Sequence, residues 1–203
     1  MFGCITETDK RTLQTAIETT CDTLNSDTLK FCEIGIFTGD TARGIKQVTE
    51  NKGKRLVYWG VDNESNIPVP LPFFEANVVL GDSAIIYPQV PDLQFDILFI
   101  DGSHCTDYAM LDFLNFSPKV KLGGIVLFHD TSPKTQHKLD YQGFGPSDPN
   151  DKTKALYHEF GTGVRTAFEK LGLIPAYRSD WELVSETWSD ENWGGISIFR
   201  KLK

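Results

Sequence analysis

The sequence has little positive charge, few cysteines and no long apolar run. Its 20 Lys and Arg residues are outnumbered by 28 Asp and Glu residues, which gives a formal net charge of −8. This excess disfavours non-specific binding to nucleic acid or to an anionic membrane surface, and it is compatible with a small cationic ligand. The 4 cysteines are scattered and form no C-x-x-C pair. We therefore expect free thiols rather than a structural zinc site or a disulfide framework.

No apolar stretch approaches membrane length, and the N-terminal residues lack the charged and then apolar pattern of a signal peptide. We therefore expect a cytoplasmic protein. The 203 residues can bury a full hydrophobic core, and no repeat or low-complexity tract divides them. The sequence thus predicts a single domain over residues 1–203.

Two apolar, β-favouring runs end abruptly in ionisable residues. FDILFIDGSH ends with Asp101 and His104 in its loop, and GGIVLFHDT ends with His129 and Asp130. Short apolar runs of this kind predict strands that are buried on both faces. Ligands of open α/β sheets bind beyond the carboxyl ends of the strands. We therefore expect these two loops to build one site.

The rest of the chain alternates between strand-like and helix-like patterns. We predict helices at 8–25, 41–49, 106–116 and 163–171, a helical turn at 84–90, and a turn at 119–124. The predicted strands are 29–34, 55–62, 77–80, 95–100, 125–128 and two antiparallel closing strands, 181–184 and 195–200. Residues 131–160 are polar with several glycines and prolines, and we expect a long loop or lid there.

A glycine-bearing turn connects the first predicted strand to a helix. Its pattern is E-x-G-x-x-x-G, from Glu33 to Gly39, which differs from the dinucleotide pattern G-x-G-x-x-G. Such a turn lets bare backbone and helix N-terminal amides approach a ligand. A tight turn without a function would need glycines as well, and this alternative stays open. Asp62 ends the next strand, where an acid can accept hydrogen bonds from ribose hydroxyls.

Four stretches in order, EIGIFTGDT, GVDNE, GDSAIIYP and FDILFIDGSH followed by GGIVLFHDT, resemble a class I S-adenosylmethionine-dependent methyltransferase. Within that superfamily the chain is most similar to the metal-dependent catechol-type and macrocin-type O-methyltransferases. The resemblance covers residues 29–130 well and the remainder loosely. It implies a Rossmann-like α/β fold with a mostly parallel, seven-stranded sheet and an antiparallel closing hairpin.

The resemblance also implies S-adenosylmethionine as the cofactor and a set of residues around it. The turn would contact the amino-acid part, Asp62 the ribose, and Asp82 and Ser83 the edge of the adenine. Asp101 would lie near both the methionyl group and a metal ion. The implied cofactor residues are Glu33, Gly35, Ile36, Phe37, Gly39, Thr41, Asp62, Asp82, Ser83 and Asp101.

The sequence departs from the catechol-type pattern at the metal. Those enzymes use two Asp and one Asn, and the matching positions here are Asp101, His129 and Asp130. Mg²⁺ prefers oxygen ligands, whereas imidazole suits softer ions, so the sequence leaves open whether Mg²⁺, Mn²⁺ or no metal binds. His104 stands where those enzymes have a catalytic lysine. It is predicted to act as a general base, with Asp101 as the second catalytic residue. The alternative is a loop histidine that bonds to backbone.

The implied reaction is methyl transfer to a hydroxyl of a small molecule or a sugar, with a divalent metal as an optional aid. Three alternatives stay open. An iron-dependent hydroxylase on the same fold could use Asp101, His129 and Asp130. A nicotinamide-dependent oxidoreductase is disfavoured by the spacing of the glycine turn. A non-catalytic protein could bind the cofactor as a sensor. No motif identifies the acceptor, and the sequence is compatible with a homodimer.

Overall fold

The structure is a computed structural model that describes residues 5–63, 71, 75–132, 163–174, 178–188 and 194–203. The described strands are β1 (Thr28–Ile34), β2 (Arg55–Asp62), β3 (Asn77–Leu80), β4 (Phe95–Ile100), β5 (Val120–Phe128), β6 (Trp181–Thr187) and β7 (Ile196–Lys201). The described helices are α1 (Glu7–Thr23), α2 (Asp40–Asn51), α3 (Ser83–Ile86), α4 (Thr106–Phe116) and α5 (Gly163–Lys170), with 3₁₀ turns at Tyr87–Gln89 and Ser117–Lys119.

These seven strands form one sheet in the order β3-β2-β1-β4-β5-β7-β6. The pairs from β3 to β5 are parallel, whereas β7 runs antiparallel to β5 and to β6. The chain therefore builds outward from β1 in one direction and from β4 in the other. The crevice between their carboxyl ends is the switch point at which α/β sheets bind ligands. The predicted fold class is confirmed.

The apolar runs of the central strands fill both faces of the sheet. All six residues of β4 are buried. Ile97 and Phe99 face a cluster with α1 and α2, while Leu98 and Ile100 face a cluster with α4 and α5. Burial of one such large side chain contributes roughly 1.5–3 kcal/mol. The two packed layers thus fix where the strands end and the site begins.

Several strands are longer than the sequence predicts: β1 starts one residue earlier, β6 ends at Thr187 rather than at 184, and β5 differs most. β5 begins at Val120, and not at Ile125, because the predicted turn at 119–124 is mostly an irregular part of the strand. The register shifts there: Val120 lies opposite Phe95, and Ile125 lies opposite Ile97. The two glycines that suggested a turn, 123 and 124, serve a bulge instead.

The first helix starts with a capping box formed by Thr6 and Asp9. Thr6 Oγ1 accepts a hydrogen bond from Asp9 N at 3.1 Å, and Asp9 Oδ2 accepts one from Thr6 N at 3.3 Å. T-x-x-D is a capping signal, so α1 begins at Glu7, one residue before the predicted start. This box places the Asp9 carboxylate inside the molecule, where it is 0% exposed.

Three further expectations concern cysteines, membrane spans and the polar loop. Cys21, Cys32 and Cys105 are free thiols, as predicted. None of the helices in the described part of the chain is long and apolar enough to cross a membrane. Of the predicted loop at 131–160, residues 133–160 lie outside the described residues, as do most of the proline-rich residues before β3.

Candidate functional site

The turn between β1 and α2 is held by the carboxylate of Asp62. Its Oδ2 accepts hydrogen bonds from Ile36 N at 2.6 Å and from Phe37 N at 2.9 Å. These bonds keep Phe37 in the left-handed region, with φ 49°, and its side chain is 61% exposed. A side chain in this region costs about 1–2 kcal/mol, which the two bonds to a charged acceptor offset. Asp62 therefore shapes the turn whose ligand it is also predicted to bind.

Gly35 lets this turn approach the end of β4. Its φ is +91°, and a Cβ there would lie 2.1 Å from the carbonyl oxygen of Asp101. No side chain fits that space, so glycine is required. The backbone is fixed on both sides, because Gly35 N donates to Val61 O and Asp101 N donates to Ile34 O, each at 2.8 Å. Gly39, with φ 77°, is the N-cap of α2, and Thr41 is buried in the first turn of that helix.

Glu33 lies beneath the turn rather than at its surface. Its carboxyl group is fully buried and accepts a short hydrogen bond from the hydroxyl of Tyr58. Its Oε1 has no hydrogen-bond partner among the described residues. Burial raises the pKa of Glu33 well above its usual range, and the nearby charges of Asp101 and Asp62 raise it further. A direct contact between Glu33 and a cofactor stays a prediction, whereas its support of the turn is visible.

The predicted adenine edge contains a group of four polar side chains that form two hydrogen-bonded pairs. Asp82 Oδ1 caps α3 by accepting from Ala84 N at 2.9 Å, and its Oδ2 accepts from the hydroxyl of Tyr108 at 2.8 Å. Ser83 Oγ donates to Asp112 Oδ1 at 2.6 Å. Sequence reasoning missed Tyr108 and Asp112. Their spacing of four residues on the helix that follows Asp101 was the available signal.

Asp112 is the most unusual member of that group. It is 1% exposed, and its Oδ2 has no hydrogen-bond partner among the residues that the structure describes. Burial raises the pKa of Asp112 to about 7, although the bond from Ser83 opposes the rise. The carboxyl group therefore changes its charge near neutral pH beside the predicted adenine edge.

Three of the predicted side chains meet at the carboxyl ends of β4 and β5. Asp101, His104 and Asp130 each offer one ligand atom, and these atoms all lie within 4.8 Å of one another. His104 Nε2 is 3.0 Å from Asp130 Oδ2 and 3.9 Å from Asp101 Oδ1. Two carboxylates and one imidazole form a donor set that suits a divalent transition metal ion.

The charges of this cluster stabilise one another. Burial alone would raise the pKa of Asp130, but the nearby His129 and His104 and the Gly194 amide lower it to about 2. Burial alone would lower the pKa of His104, and the bond to Asp130 and the charge of Asp101 outweigh it, so the pKa lies above its usual value. Asp130 and His104 therefore each stabilise the charged form of the other.

His129 lies behind the cluster rather than within it. It is 3% exposed, and its Nδ1 is 2.8 Å from Asp101 Oδ1. Its Nε2 is 3.2 Å from Oδ2 of Asp9, a residue that sequence reasoning missed. Asp101 and Asp130 outweigh burial and raise the pKa of His129 well above its usual range. Among the described residues, His104 rather than His129 groups with Asp101 and Asp130 as a possible metal site, and the role of His129 as a metal ligand stays a prediction.

The parts of this crevice lie where ligands of doubly wound sheets bind. A glycine turn follows β1, carboxylates end β2 and β4, and a two-carboxylate, one-imidazole cluster closes the far side. This sheet order with an antiparallel last strand defines the class I methyltransferase fold. A family model described as a methyltransferase domain matches residues 32–131, about half of the chain. The chain belongs to this methyltransferase family, which confirms the resemblance.

Solved structures with the same fold include two O-methyltransferases. TomG from Streptomyces achromogenes, in complex with S-adenosylmethionine, is 13% identical; the match covers 98% of this chain and 82% of TomG, with a TM-score of 0.66. The Bacillus cereus O-methyltransferase, in complex with S-adenosylhomocysteine, is 15% identical, with 98% and 83% covered and a TM-score of 0.61. At these identities the likeness establishes the fold.

MycE from the mycinamycin biosynthetic pathway is a third similar structure, solved with Mg, S-adenosylhomocysteine and mycinamycin VI. It is 16% identical and has a TM-score of 0.57. The match covers 95% of this chain and 49% of MycE, so this chain spans about half the length of that protein. No curated protein matches the sequence.

Proposed function

We propose that this protein is an S-adenosylmethionine-dependent O-methyltransferase that methylates a hydroxyl of a small molecule or a sugar. The observation that carries the proposal is the cluster of Asp101, His104 and Asp130, whose ligand atoms lie within 4.8 Å of one another. Gly35, which belongs to the glycine turn, packs directly against the backbone of Asp101, so the turn and the cluster are neighbours. The methyltransferase family model and the three similar structures, which were solved with S-adenosylmethionine or S-adenosylhomocysteine, support it.

The residues of the crevice fit the cofactor by charge and shape. S-Adenosylmethionine supplies a methyl group on a cationic sulfonium. Asp62 and Asp101 border the glycine turn, and carboxylates close to a cation in a partly buried site attract it strongly. We assign Asp62 to the ribose hydroxyls, Asp82 and Ser83 to the adenine, and the backbone of the turn to the amino-acid part. Glu33 would act from beneath the turn.

A divalent ion fits the donor set of the cluster. We assign Asp101, His104 and Asp130 as its ligands, with His104 in the place that the sequence gives to His129. Mixed carboxylate and imidazole ligands favour an ion such as Mn²⁺ over Mg²⁺, which prefers oxygen. When bound, the ion would supply Lewis acidity that lowers the pKa of the acceptor hydroxyl.

His104 has a second role open to it. Its Nε2 is the atom that lies near both carboxylates, so the same nitrogen cannot bind a metal and accept a proton at once. In a metal-free site, Asp130 would orient the ring, and the neutral ring would take the proton of the acceptor hydroxyl. In either role the chain holds the acceptor oxygen in line with the methyl group, at about 3 Å.

The comparisons support neither the iron-dependent hydroxylase nor the nicotinamide-dependent oxidoreductase. The complex of MycE with a mycinamycin supports a small-molecule acceptor for this fold. The same proposal includes a cytoplasmic location and a single domain over residues 1–203. It also includes the absence of nucleic-acid and membrane partners, with a homodimer as the compatible assembly.

Calorimetric titration with S-adenosylmethionine and S-adenosylhomocysteine tests the proposal. The protein is first treated with a chelator and is then titrated alone, with Mn²⁺ and with Mg²⁺. We expect binding that Asp62→Ala weakens by about tenfold or more, because the substitution removes both a cofactor contact and the anchor of the turn. Asp27→Ala is the matched control, since Asp27 pairs with Arg55 on the surface before β1.

Two results would contradict the proposal. The first is the absence of binding under all metal conditions. The second is preferential binding of NADH, titrated alongside, which would indicate a fold shared without the reaction. If the cofactor binds equally with and without metal, the methyltransferase assignment stands and the metal assignment fails.

A further inference from the structure

We propose that Asp9, on the first helix, is a positioning residue of this site, acting through His129 on Asp101. The inference rests on the proposed function, because it concerns the carboxylate that we assign to the cofactor and the metal. Asp9 precedes His129 by 120 residues in the sequence, and we assign it no direct contact with the cofactor or the metal ion. Its role would be to fix the direction of the Asp101 carboxylate.

The contacts of Asp9 exceed what a helix cap requires. A capping box needs only the reciprocal bonds between Thr6 and Asp9. Asp9 Oδ1 also accepts from Gly195 N at 3.0 Å, and Oδ2 also lies 3.2 Å from His129 Nε2. Most caps lie at the helix surface, whereas this carboxylate is 0% exposed. A carboxylate is buried at this depth only where charged or polar partners surround it.

His129 lies between the carboxylates of Asp9 and Asp101, which cannot donate a hydrogen bond to it when they are ionised. Its Nδ1 is 2.8 Å from Asp101 Oδ1, and its Nε2 is 3.2 Å from Asp9 Oδ2. An ionised carboxylate only accepts hydrogen bonds, so in the charged form of the ring, which the surrounding acids favour, each nitrogen donates to one of them. The ring plane and the direction of its Nδ1–H bond are thereby set by Asp9. Loss of an outer partner that orients a metal ligand in this way typically weakens metal binding by about 10–100-fold.

The C-terminal part of the chain holds this arrangement in place. A Cβ at Gly194 would lie 2.4 Å from Asp9 Oδ2, so only glycine allows the backbone to pass the carboxylate. Gly194 N donates to Asp130 Oδ1 at 3.1 Å, while Gly195 N donates to Asp9. Two successive backbone amides thus bind Asp130, which is a proposed metal ligand, and Asp9. Asp9 is therefore connected to the site in two ways, through the ring of His129 and through the backbone of Gly194 and Gly195.

Two variants separate positioning from capping. Asp9→Asn keeps the size of the side chain and an oxygen for Gly195, but it puts an amide in place of the acceptor for His129. Thr6→Val removes the hydroxyl of the capping box, which also donates to Asp9 Oδ2 at 2.7 Å, but it keeps the Asp9 carboxylate that faces His129. The probes are Mn²⁺ alone, titrated into cofactor-free protein, and the imidazole N–H signals of ¹⁵N-histidine-labelled protein by NMR.

We expect Asp9→Asn to weaken Mn²⁺ binding by about tenfold or more and to shift the Nδ1–H signal of His129, which faces Asp101. Thr6→Val should lower the melting temperature and leave both readouts unchanged. The proposal is overturned if Asp9→Asn behaves like Thr6→Val, because Asp9 would then be a helix cap only.

The remaining outcomes are decided by the NMR signals. If the wild-type protein binds no Mn²⁺, the proposed metal role fails, and the Nδ1–H signal alone decides: a shift in Asp9→Asn supports positioning, and an unchanged signal overturns it. If Asp9→Asn does not fold, Asp101→Asn provides the reciprocal test. A shift of the Nε2–H signal that faces Asp9 supports the coupling, and no shift overturns it.

Discussion

The hydroxyl of Ser83 donates to Asp112 Oδ1 at 2.6 Å, and the other oxygen of that carboxyl group is buried without a partner among the described residues. The pair connects the start of α3, at the predicted adenine edge, to the interior of α4. Burial raises the pKa of Asp112 to about 7 from its usual value of 3.8. The folded protein therefore binds a proton in a pH range where the unfolded chain does not.

This linkage predicts a pH-dependent stability that Asp112→Asn removes. Between about pH 4 and pH 7 the folded state holds the extra proton, so the contribution of Asp112 is fully present below its unfolded pKa and is lost as the pH rises to the folded pKa. The loss has a slope of at most about 1.4 kcal/mol per pH unit. Denaturant unfolding at several pH values, compared with wild type, measures it.

Asp107→Asn, on the same helix, is the control for this measurement, because Asp107 is partly exposed and lies near Lys170 on the surface. The difference in the free energy of unfolding between Asp112→Asn and wild type should grow with pH across this range and should level off above about pH 7. A difference that stays constant with pH would contradict the assignment of this titration to Asp112.

Substitutions of Glu33 and of Tyr58 should lower the free energy of unfolding by different amounts. Tyr58→Phe removes the donor to a fully buried carboxyl group whose Oε1 already lacks a partner among the described residues, so we expect a loss of about 1–3 kcal/mol. Glu33→Gln replaces a carboxyl group whose pKa burial raises well above its usual range, which favours the neutral form, so the loss should be smaller. Denaturant unfolding at neutral pH compares the two. A larger loss for Glu33→Gln would mean that Glu33 is ionised.

The sequence predicted the central strands well because their signals are local. β2, β3 and β4 have the predicted bounds, since each is a short apolar or β-branched run between turn residues. The start of β5 was wrong because glycines 123 and 124 fit a turn and a bulge equally well. Distinguishing these two structures requires the neighbouring strand, which a local pattern does not include.

The site was predictable where it follows strand ends. Asp101 and His104 share a loop with each other, and Asp130 follows the neighbouring strand, so topology alone brings them together. The contact of Asp9 with His129 joins residues 120 positions apart, and no periodicity encodes it. The choice between His104 and His129 at the cluster likewise depends on side-chain direction, which only the folded backbone determines.

Phe37 provides a test of strain in the glycine turn. Its φ of 49° is unfavourable for any residue with a side chain and most unfavourable for a β-branched one. We expect Phe37→Val to destabilise the protein by about 1–2 kcal/mol, whereas Phe37→Gly should be neutral or stabilising. Thermal unfolding of the two variants measures the contrast. Equal melting temperatures would indicate that the turn changes conformation when the aromatic ring is removed.

Substitutions at His104 test the choice between a metal ligand and a general base. If Nε2 binds the ion, His104→Ala should weaken Mn²⁺ binding to cofactor-free protein by about tenfold or more, and His104→Asp, which supplies an oxygen ligand, should shift the preference from Mn²⁺ towards Mg²⁺. Calorimetric titration with each ion measures both effects. Asp40→Ala is the control, because it removes a partly exposed carboxylate at the start of α2. Unchanged Mn²⁺ binding in His104→Ala, together with slower methyl transfer, would show that the imidazole carries the proton and not the metal.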